Sequence, residues 1–394
     1  MKRLIQQVAL LVLVGQALSA YGSAATDGIA HLNFRYRIES VDQQGAAENA
    51  LASTLRTRVN YLSAPFANTQ VFLEADNVTY LGNDAFNNTR NGASRYPVVA
   101  DPRGTGMNQF YVQNRIQDFT TTLGRQRILQ DGQRFIGGVG WRQNEQTYDG
   151  LGVRYQPATQ MDASWHYIKR VSRIFGPEGG TPDASLDSDS HLARLHYTTK
   201  KLGALTAYGY FLDFEDAVGL SSRTTGIRYQ RSFQISNISL PLTLEYAHQN
   251  DYGDNPANLS LNFFAIDLQV KTGYATFSFG NELLEGSSAG GFMTPLATLH
   301  KFQGWTDTFL NTPANGIDDR YIGMSGKAKG YKWEAVYHDF DAERGSNDYG
   351  HELDLSVSYQ INDTFSGLLK WAHYSADTFG SDTSKAWLML TAAL

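Results

Sequence analysis

The feature that most constrains this chain is a two-residue alternation of apolar and polar side chains that returns along much of its length. In segment 31–39 (HLNFRYRIE), Phe34 and Tyr36 share one face, whereas Arg35 and Arg37 share the other. The same pattern recurs at 161–167, 240–246 and 351–360. A soluble strand can bury such an apolar face in a core, but repeated strands with no helix to cover them are expected to face lipid.

Alternation and turn residues together predict about eighteen strands between residues 29 and 394. The predicted fold class is all-β: a transmembrane antiparallel β-barrel of about 18 strands that follows a cleaved signal peptide. The longest polar insertions are expected to be extracellular loops and lie at 80–106, 172–189, 215–222, 250–259 and 341–349. Segments 119–129 and 203–214 alternate poorly, so their inner and outer faces stay undefined.

Residues 1–25 have the order of a secretory signal peptide. Positive charge at Lys2 and Arg3 precedes a mostly apolar segment at 4–18 and a run of mostly small residues at 19–25. The apolar segment is too short for a lasting transmembrane helix, and no later stretch of about 18 apolar residues follows. We therefore expect Sec-type export, then a single β-barrel domain over residues 26–394.

The composition limits the chemistry that the chain can perform. It contains no cysteine, which excludes thiol catalysis, zinc–thiolate sites and iron–sulfur clusters. Its mean hydropathy of −0.36 is that of a soluble protein, but inward and outward residues of a barrel cancel in such an average. The 22 Tyr and 21 Phe favour strands and membrane-interface girdles. A net charge of −6 argues against nucleic acid as a partner.

Two segments break the alternation and mix glycine with apolar and polar residues. They are 134–148 (RFIGGVGWRQNEQTY) and 291–317 (GFMTPLATLHKFQGWTDTFLNTPANGI), and part of the second, 296–309, could hold a short helix. Long structured loops of this kind either enter a barrel lumen as a plug or constriction, or pack as loops without a function. The sequence leaves both alternatives open.

Several stretches carry a family resemblance: Ser53–Tyr61, Val71–Val78, Gly124–Ile128, Arg134–Gly137, Gly140–Asp149 and Thr294–Trp305. Among them, WRQNEQTYD and PLATLHKFQGW are the most specific. On these stretches the chain resembles the alginate-export family of outer-membrane β-barrels, and the middle of the chain, 155–280, matches mainly in pattern. The resemblance implies an eighteen-stranded monomeric barrel whose electropositive lumen passes an anionic polyuronate.

Inward-facing arginines are the sharpest chemical signal. Arg35, Arg37, Arg56 and Arg58 lie on the predicted inner faces of adjacent strands, because an arginine facing lipid near the midplane would cost roughly 2–4 kcal/mol. A guanidinium keeps its charge and binds carboxylates through two parallel hydrogen bonds. The candidate substrate-binding residues are Arg35, Arg37, Arg56, Arg58, Glu74, Asp76, Arg125, Arg127, Arg142 and Arg154, with Arg170, Arg194 and Arg228 as further inward candidates.

The same arginines have a structural interpretation. Inward carboxylates such as Glu74 and Asp76 could pair with them and brace the barrel wall. The two roles can coexist, since facing acidic and basic walls create a transverse field across a constriction.

The expected function is a passive outer-membrane channel for anions, with alginate-like polyuronates, acidic oligosaccharides or small organic anions as substrates. No cofactor is expected, and the expected partners are outer-membrane lipid and lipopolysaccharide. The alternative is an outer-membrane enzyme or a plugged surface-binding barrel, although the chain carries no HExxH, GxSxG, P-loop or dinucleotide motif. Segment 183–189 (DASLDSD) could bind Ca²⁺ in a loop, or could simply be solvated.

Overall fold

A closed β-barrel forms the body of the protein in a computed structural model that describes residues 27–394; the predicted signal peptide, 1–25, lies outside these residues. The barrel strands are β1 (Ile29–Gln43), β2 (Ala50–Leu62), β3 (Thr69–Ala85), β4 (Gly104–Ile116), β5 (Phe119–Gln126), β6 (Thr147–Ala158), β7 (Met161–Ser172), β8 (Ser185–Thr199), β9 (Gly203–Leu212), β10 (Ser222–Ile235), β11 (Ile238–Asp251), β12 (Ser260–Lys271), β13 (Ala275–Leu284), β16 (Ile317–Ala328), β17 (Tyr331–Asp341), β18 (Asp348–Gln360), β19 (Phe365–Ala376) and β20 (Thr383–Ala393). A small pair inside one loop completes the set: β14 (Gly286–Ser287) and β15 (Gly290–Gly291).

Every barrel strand pairs antiparallel with its neighbours, and the sheet closes on itself. Strand β1 pairs with β2 on one side and with β20 on the other, so that Arg35 stands opposite Arg56 and Thr391. Closure gives the 18-stranded sheet no open edge, which is what a hydrocarbon environment requires of a spanning sheet. The prediction of an all-β antiparallel barrel of about 18 strands is confirmed. Among residues 27–394, no helix is long and apolar enough to cross a membrane.

The connections differ sharply between the two ends of the barrel. At one end, eight turns of two to six residues join the strands, and β1 begins and β20 ends there. At the other end the connections are mostly longer and reach 32 residues at 285–316. Outer-membrane barrels keep short turns on the periplasmic side and long loops outside, so these two ends are assigned accordingly. Two predicted loops are shorter than expected, because β3 continues to Ala85 and β8 already begins at Ser185.

Burial follows the alternation that the sequence predicted. In β18, Glu352 and Asp354 are fully buried, whereas Leu353, Leu355 and Val357 keep about two fifths of their surface exposed, as lipid-facing residues should. Strand β1 behaves in the same way, with its arginines buried on the inner side.

Both non-alternating segments lie inside the barrel and pack against its wall. Phe135 meets the ring of Phe263 at 5.4 Å between centroids and that of Tyr208 at the same distance, and Phe292 joins this group. Farther along, Phe309 packs on Phe340 at 4.6 Å. The lumen thus holds an apolar core to which both the loops and the inner wall contribute side chains. The short helix considered for 296–309 is reduced to a single 3₁₀ turn, Leu299–Lys301.

Candidate functional site

A connected group of charges lies where β1, β2 and β3 meet the loop 127–146. It contains eight of the ten predicted site residues: Arg35, Arg37, Arg56, Arg58, Glu74, Asp76, Arg127 and Arg142. We call this group, with the partners Glu39, Asp101, Glu145, Asp307 and Lys385, the arginine network. It has seven cationic and six anionic side chains, and therefore carries one excess positive charge.

Arg35 is anchored entirely by the loop 127–146. Its Nη1 donates to the carbonyl oxygen of Gly140 at 2.8 Å, its Nε donates to Oε1 of Gln143 at 3.0 Å, and its Nη2 donates to the carbonyl oxygen of Arg142. Within the described part of the chain, no carboxylate lies within 4.0 Å of its guanidinium. This loop is therefore held against β1 by a cation whose charge no acid neutralises.

Arg37 and Arg142 tie three parts of the chain together. Arg37 is fully buried, donates to the carbonyl oxygen of Trp141 at 2.6 Å and pairs with Asp101 from the loop after β3. Arg142 donates from Nη1 to both oxygens of Glu39, at 3.2 and 3.1 Å. Because the two arginines share this set of carboxylates, they brace the wall against the loop, as the structural interpretation anticipated.

Arg58 is the most fully paired arginine of the network. Its Nε and Nη2 donate to the two oxygens of Asp76, at 2.7 and 2.6 Å, and its Nη1 donates to Glu145 at 3.0 Å. Glu145 also accepts from Nε of Arg127 at 2.9 Å, and Arg127 reaches Glu74 at 3.0 Å. The cross-strand pairing that the sequence suggested for Asp76 is thus present, with the loop acid Glu145 as an unpredicted third member.

Arg56 is weakly compensated. It stands directly opposite Arg35 in the β1–β2 register, an arrangement of like charges that destabilises a sheet. Its Nη2 donates to Asn33 at 3.0 Å, its nearest carboxylate is Glu145 at 3.9 Å, and its buried Nε has no hydrogen-bond partner in the protein. Arg35 and Arg56 together therefore form the most electropositive point of the network.

The loop 285–316 reaches the network through Asp307. This carboxylate accepts from Nη2 of Arg142 at 3.0 Å and from Nζ of Lys385 at 2.8 Å, and it accepts from Nδ1 of His300 at 2.7 Å. On its other side, His300 meets Nζ of Lys370 on β19 at 2.8 Å. Both intruding loops are consequently joined to one another and to the wall.

Burial and neighbouring charges shift the pKa values of two loop residues, Glu145 and His300. Burial alone would raise the pKa of Glu145, but the charges of Arg58 and Arg127 outweigh it and hold that pKa at about 2. Burial, assisted by the charge of Lys370, lowers the pKa of His300 to about 3. At neutral pH, Glu145 is therefore ionised and His300 is neutral, so that Nε2 of His300 can accept a hydrogen bond from Lys370 while its Nδ1–H donates one to Asp307.

Arg125 and Arg154 lie apart from the network. Arg125 is on the face of β5 that also carries Leu123, which is 62% exposed, and it pairs with Asp149 at 2.7 Å through two parallel hydrogen bonds. This corrects the expectation that Arg125 faces the lumen. Arg154 pairs with Asp162 on the neighbouring strand, at 2.9 and 2.7 Å.

Arg154 belongs to a second, more open row of charges on β6 to β11. Arg194 pairs with Asp131 at 2.7 Å and lies 3.9 Å from Asp162, the partner of Arg154. Arg228 pairs with Glu245 at 2.7 Å. Arg170 does not belong to this row: it stands opposite Asp149, the partner of Arg125, and pairs with Asp187 on the face away from the buried Val171, which corrects the expectation that Arg170 faces the lumen. The other three arginines line the inner wall between β6 and β11, away from the arginine network on β1–β3.

Sequence reasoning missed the partners that the loops supply. Asp101 and Asp307 carried no recognisable signal, whereas Glu145 and His300 lay within the two most specific family stretches but were not singled out as site residues. Lys385 could have been found, since it lies on the same face of β20 as the buried Trp387 and between the outward Ser384 and Ala386.

The described residues contain no group of three or more His, Asp or Glu side chains that could hold a metal ion. The candidate Ca²⁺ segment 183–189 is largely part of β8, and its Asp187 pairs with Arg170 at 2.7 Å. It is thus mainly strand rather than the loop that was expected.

The barrel has counterparts among known proteins. The family model for alginate export matches residues 29–248. OccAB4 of Acinetobacter baumannii has a TM-score of 0.74 at 14% identity, with 93% of this chain and 98% of that chain covered. OpdK of Pseudomonas aeruginosa, in its crystal structure with vanillate, has a TM-score of 0.74 at 14% identity, with 94% and 99% covered. A comparison with curated proteins gives no significant match.

These findings place the barrel in the outer membrane as a porin-like channel whose apolar outer face contacts lipid. The structural neighbours share so little sequence that they support the fold alone, whereas the family model is matched to the sequence itself. Because that model matches more than half of the 394 residues, the resemblance is confirmed and this chain belongs to the alginate export family.

Proposed function

We propose that this barrel passes organic anions by passive diffusion through its arginine-lined lumen, as a monomer without a cofactor, after export by the signal peptide at 1–25. One observation carries the proposal. Arg35 and Arg56 face each other on adjacent strands, and neither has a carboxylate within 3.5 Å. Opposed like charges cost stability, so their retention needs another reason, and attraction of anions to the constriction supplies one.

The candidate substrates are alginate-like polyuronates, acidic oligosaccharides and small carboxylates. Membership of the alginate export family favours the first two. The crystal structure of OpdK with vanillate favours a small carboxylate for a barrel of the same fold. All of these substrates carry carboxylates, which a guanidinium can bind through two parallel hydrogen bonds. The residues proposed to guide them are Arg35, Arg37, Arg56, Arg58, Glu74, Asp76, Arg127, Arg142 and Arg154.

The experiment is a reversal-potential measurement in a planar bilayer under a salt gradient. Arg56→Gln keeps hydrogen-bonding capacity and removes one poorly compensated charge, so anion preference should fall, most clearly at low ionic strength, where charges are least screened. Arg125→Gln is the matched control, because it removes an arginine from the outer face. An unchanged reversal potential with Arg56→Gln would contradict the proposed role of this residue.

A plugged surface-binding barrel is the second candidate, and a specific observation favours it. The loops 127–146 and 285–316 pack inside the lumen around Phe135 and Phe309 and form part of an apolar core. A plugged barrel would give no steady ion current in the same bilayer, whereas a channel gives discrete conductance steps. The conductance therefore decides between the two candidates.

A further inference from the structure

A cavity of about 480 Å³ opens among five extracellular loops directly above the arginine network. Its walls are mainly apolar and include Val98, Ile174, Phe175, Leu299, Leu310 and Phe379. Val98 and Leu310 are 50% and 40% exposed, although both lie on loops at the wet end of the barrel. Exposed apolar side chains gathered around a concave space mark a binding site more often than chance exposure does.

The charged groups of the cavity are mostly cationic, and neutral amide and hydroxyl side chains complete its polar lining. Arg142 and Lys385 lie in its wall and share one carboxylate, Asp307. Arg173 also lines it; its Nη1 donates to the carbonyl oxygen of Asp183 at 3.2 Å and its guanidinium lies 4.6 Å from the ring centre of Phe175. Within residues 27–394, no carboxylate lies within 4.0 Å of Arg173. With His300 neutral, three cations face one anion at this site.

We propose that this cavity is a binding site for a small organic anion with an apolar body, such as an aromatic carboxylate, and that it selects such anions at the extracellular mouth. The proposal rests on the proposed function and narrows its substrate class. An apolar ring buries surface against the leucine, valine and phenylalanine walls, and its carboxylate meets the uncompensated charge of Arg173.

The same walls disfavour a uniformly hydroxylated acid. A uronate of similar size carries several hydroxyl groups around its ring, and those placed against Val98, Leu299 or Leu310 would lose their hydrogen bonds to water without replacement. The cost of such unpaired groups gives the cavity its discrimination. A polyuronate can share the carboxylate contacts, but it gains little from the apolar walls.

Calorimetric titration of the purified full chain in detergent tests this selectivity, with the singly charged carboxylates benzoate and glucuronate as probes. We expect benzoate to bind more tightly than glucuronate. Val98→Ser should weaken benzoate binding about three- to tenfold and leave glucuronate binding nearly unchanged. Val218→Ser is the matched control, since Val218 is an exposed valine on an extracellular loop that does not line the cavity. Arg173→Gln should weaken both probes.

Equal binding of the two probes, or equal effects of Val98→Ser and Val218→Ser, would overturn the inference. Single-channel recording on the same preparation separates it from the proposed function. An anion-selective current without selective benzoate binding overturns the inference alone. Selective benzoate binding without any current overturns the channel and leaves the binding site standing. Block of the current by benzoate added on the loop side, but not on the short-turn side, supports both.

Discussion

Lys370 on β19 donates a hydrogen bond from Nζ to Nε2 of His300 at 2.8 Å, and so joins the barrel wall to the loop 285–316. The ammonium group also lies 3.6 Å from the ring centre of Trp305 and 4.4 Å from that of Trp141, which belongs to the other intruding loop. Cation–π attraction is strongest when the cation is desolvated. One buried cation therefore holds both loops at the constriction.

Lys370→Met should release these loops, because it keeps the length of the side chain but removes the charge and the donor. The free energy that holds the loops against the wall should fall by roughly 1–3 kcal/mol. This loss should appear as a lower melting temperature and as a larger or noisier single-channel conductance. Lys332→Met is the control, since Lys332 is an exposed lysine near the short-turn end of β17. Equal behaviour of the two variants would show that Lys370 does not hold the loops.

Acid should loosen the loop 127–146 through Glu145. Its pKa is about 2 in the folded protein and 4.5 for an ordinary glutamate, so the stability it contributes is complete above about pH 4.5 and is lost as the pH falls towards 2. The loss is on the order of 3 kcal/mol. Melting temperatures recorded across this range should fall more steeply for the unaltered chain than for Glu145→Gln. Parallel curves would show that other groups govern the acid response.

Phe135→Ala should release the loop 127–146 from the inner wall while the β-sheet of the barrel stays intact. The ring packs on Phe263 and Tyr208 inside the lumen, and a buried phenylalanine replaced by alanine typically costs about 3–5 kcal/mol. We expect an unchanged β-sheet circular dichroism spectrum, a larger conductance and faster proteolysis within 127–146. Phe279→Ala, which removes an outward ring that is 48% exposed, should change neither conductance nor proteolysis. Unchanged conductance with Phe135→Ala would mean that this loop does not narrow the pore.

Adjacent cysteines on β6 should label from opposite solvents. The chain has no native cysteine, so each introduced thiol is unique. Val153→Cys should react with a lipid-soluble maleimide, and Arg154→Cys with an aqueous one, because Arg154 is opposite Thr120 and Ser164 on the inner side of the wall. Labelling of position 154 by the lipid-soluble reagent alone would refute this assignment.

Much of the barrel was readable from the sequence because lipid imposes one simple rule on every spanning strand. Where water-filled lumen and hydrocarbon lie on opposite sides, as at Glu352 and Leu353, side-chain polarity alone assigns the face. The rule also placed Arg35 and Arg58 on the inner side, where they are buried. It identified strands and basic positions without any knowledge of the loops.

The rule fails where the lumen itself becomes apolar. Tyr208 and Tyr210 on β9 point inward because Phe135 packs against them there, which is why the strand predicted at 203–214 alternates poorly. At Arg125 the rule makes the opposite error and assigns an outward arginine to the lumen. Its pairing with Asp149 is what allows this charge to lie on the outer face.

By itself, then, the sequence determined that this chain is a membrane barrel with arginines on its inner wall, because alternation is a local property and the solvent on each side is uniform. Only the tertiary structure decided which arginines are neutralised and which are not. Arg58 is neutralised by Asp76, which the strand register supplies, and by Glu145, which a loop supplies. Arg35 receives only loop carbonyls and a side-chain amide. Loop groups more than 80 residues away in the chain set these charges, and no local pattern records where such loops fold.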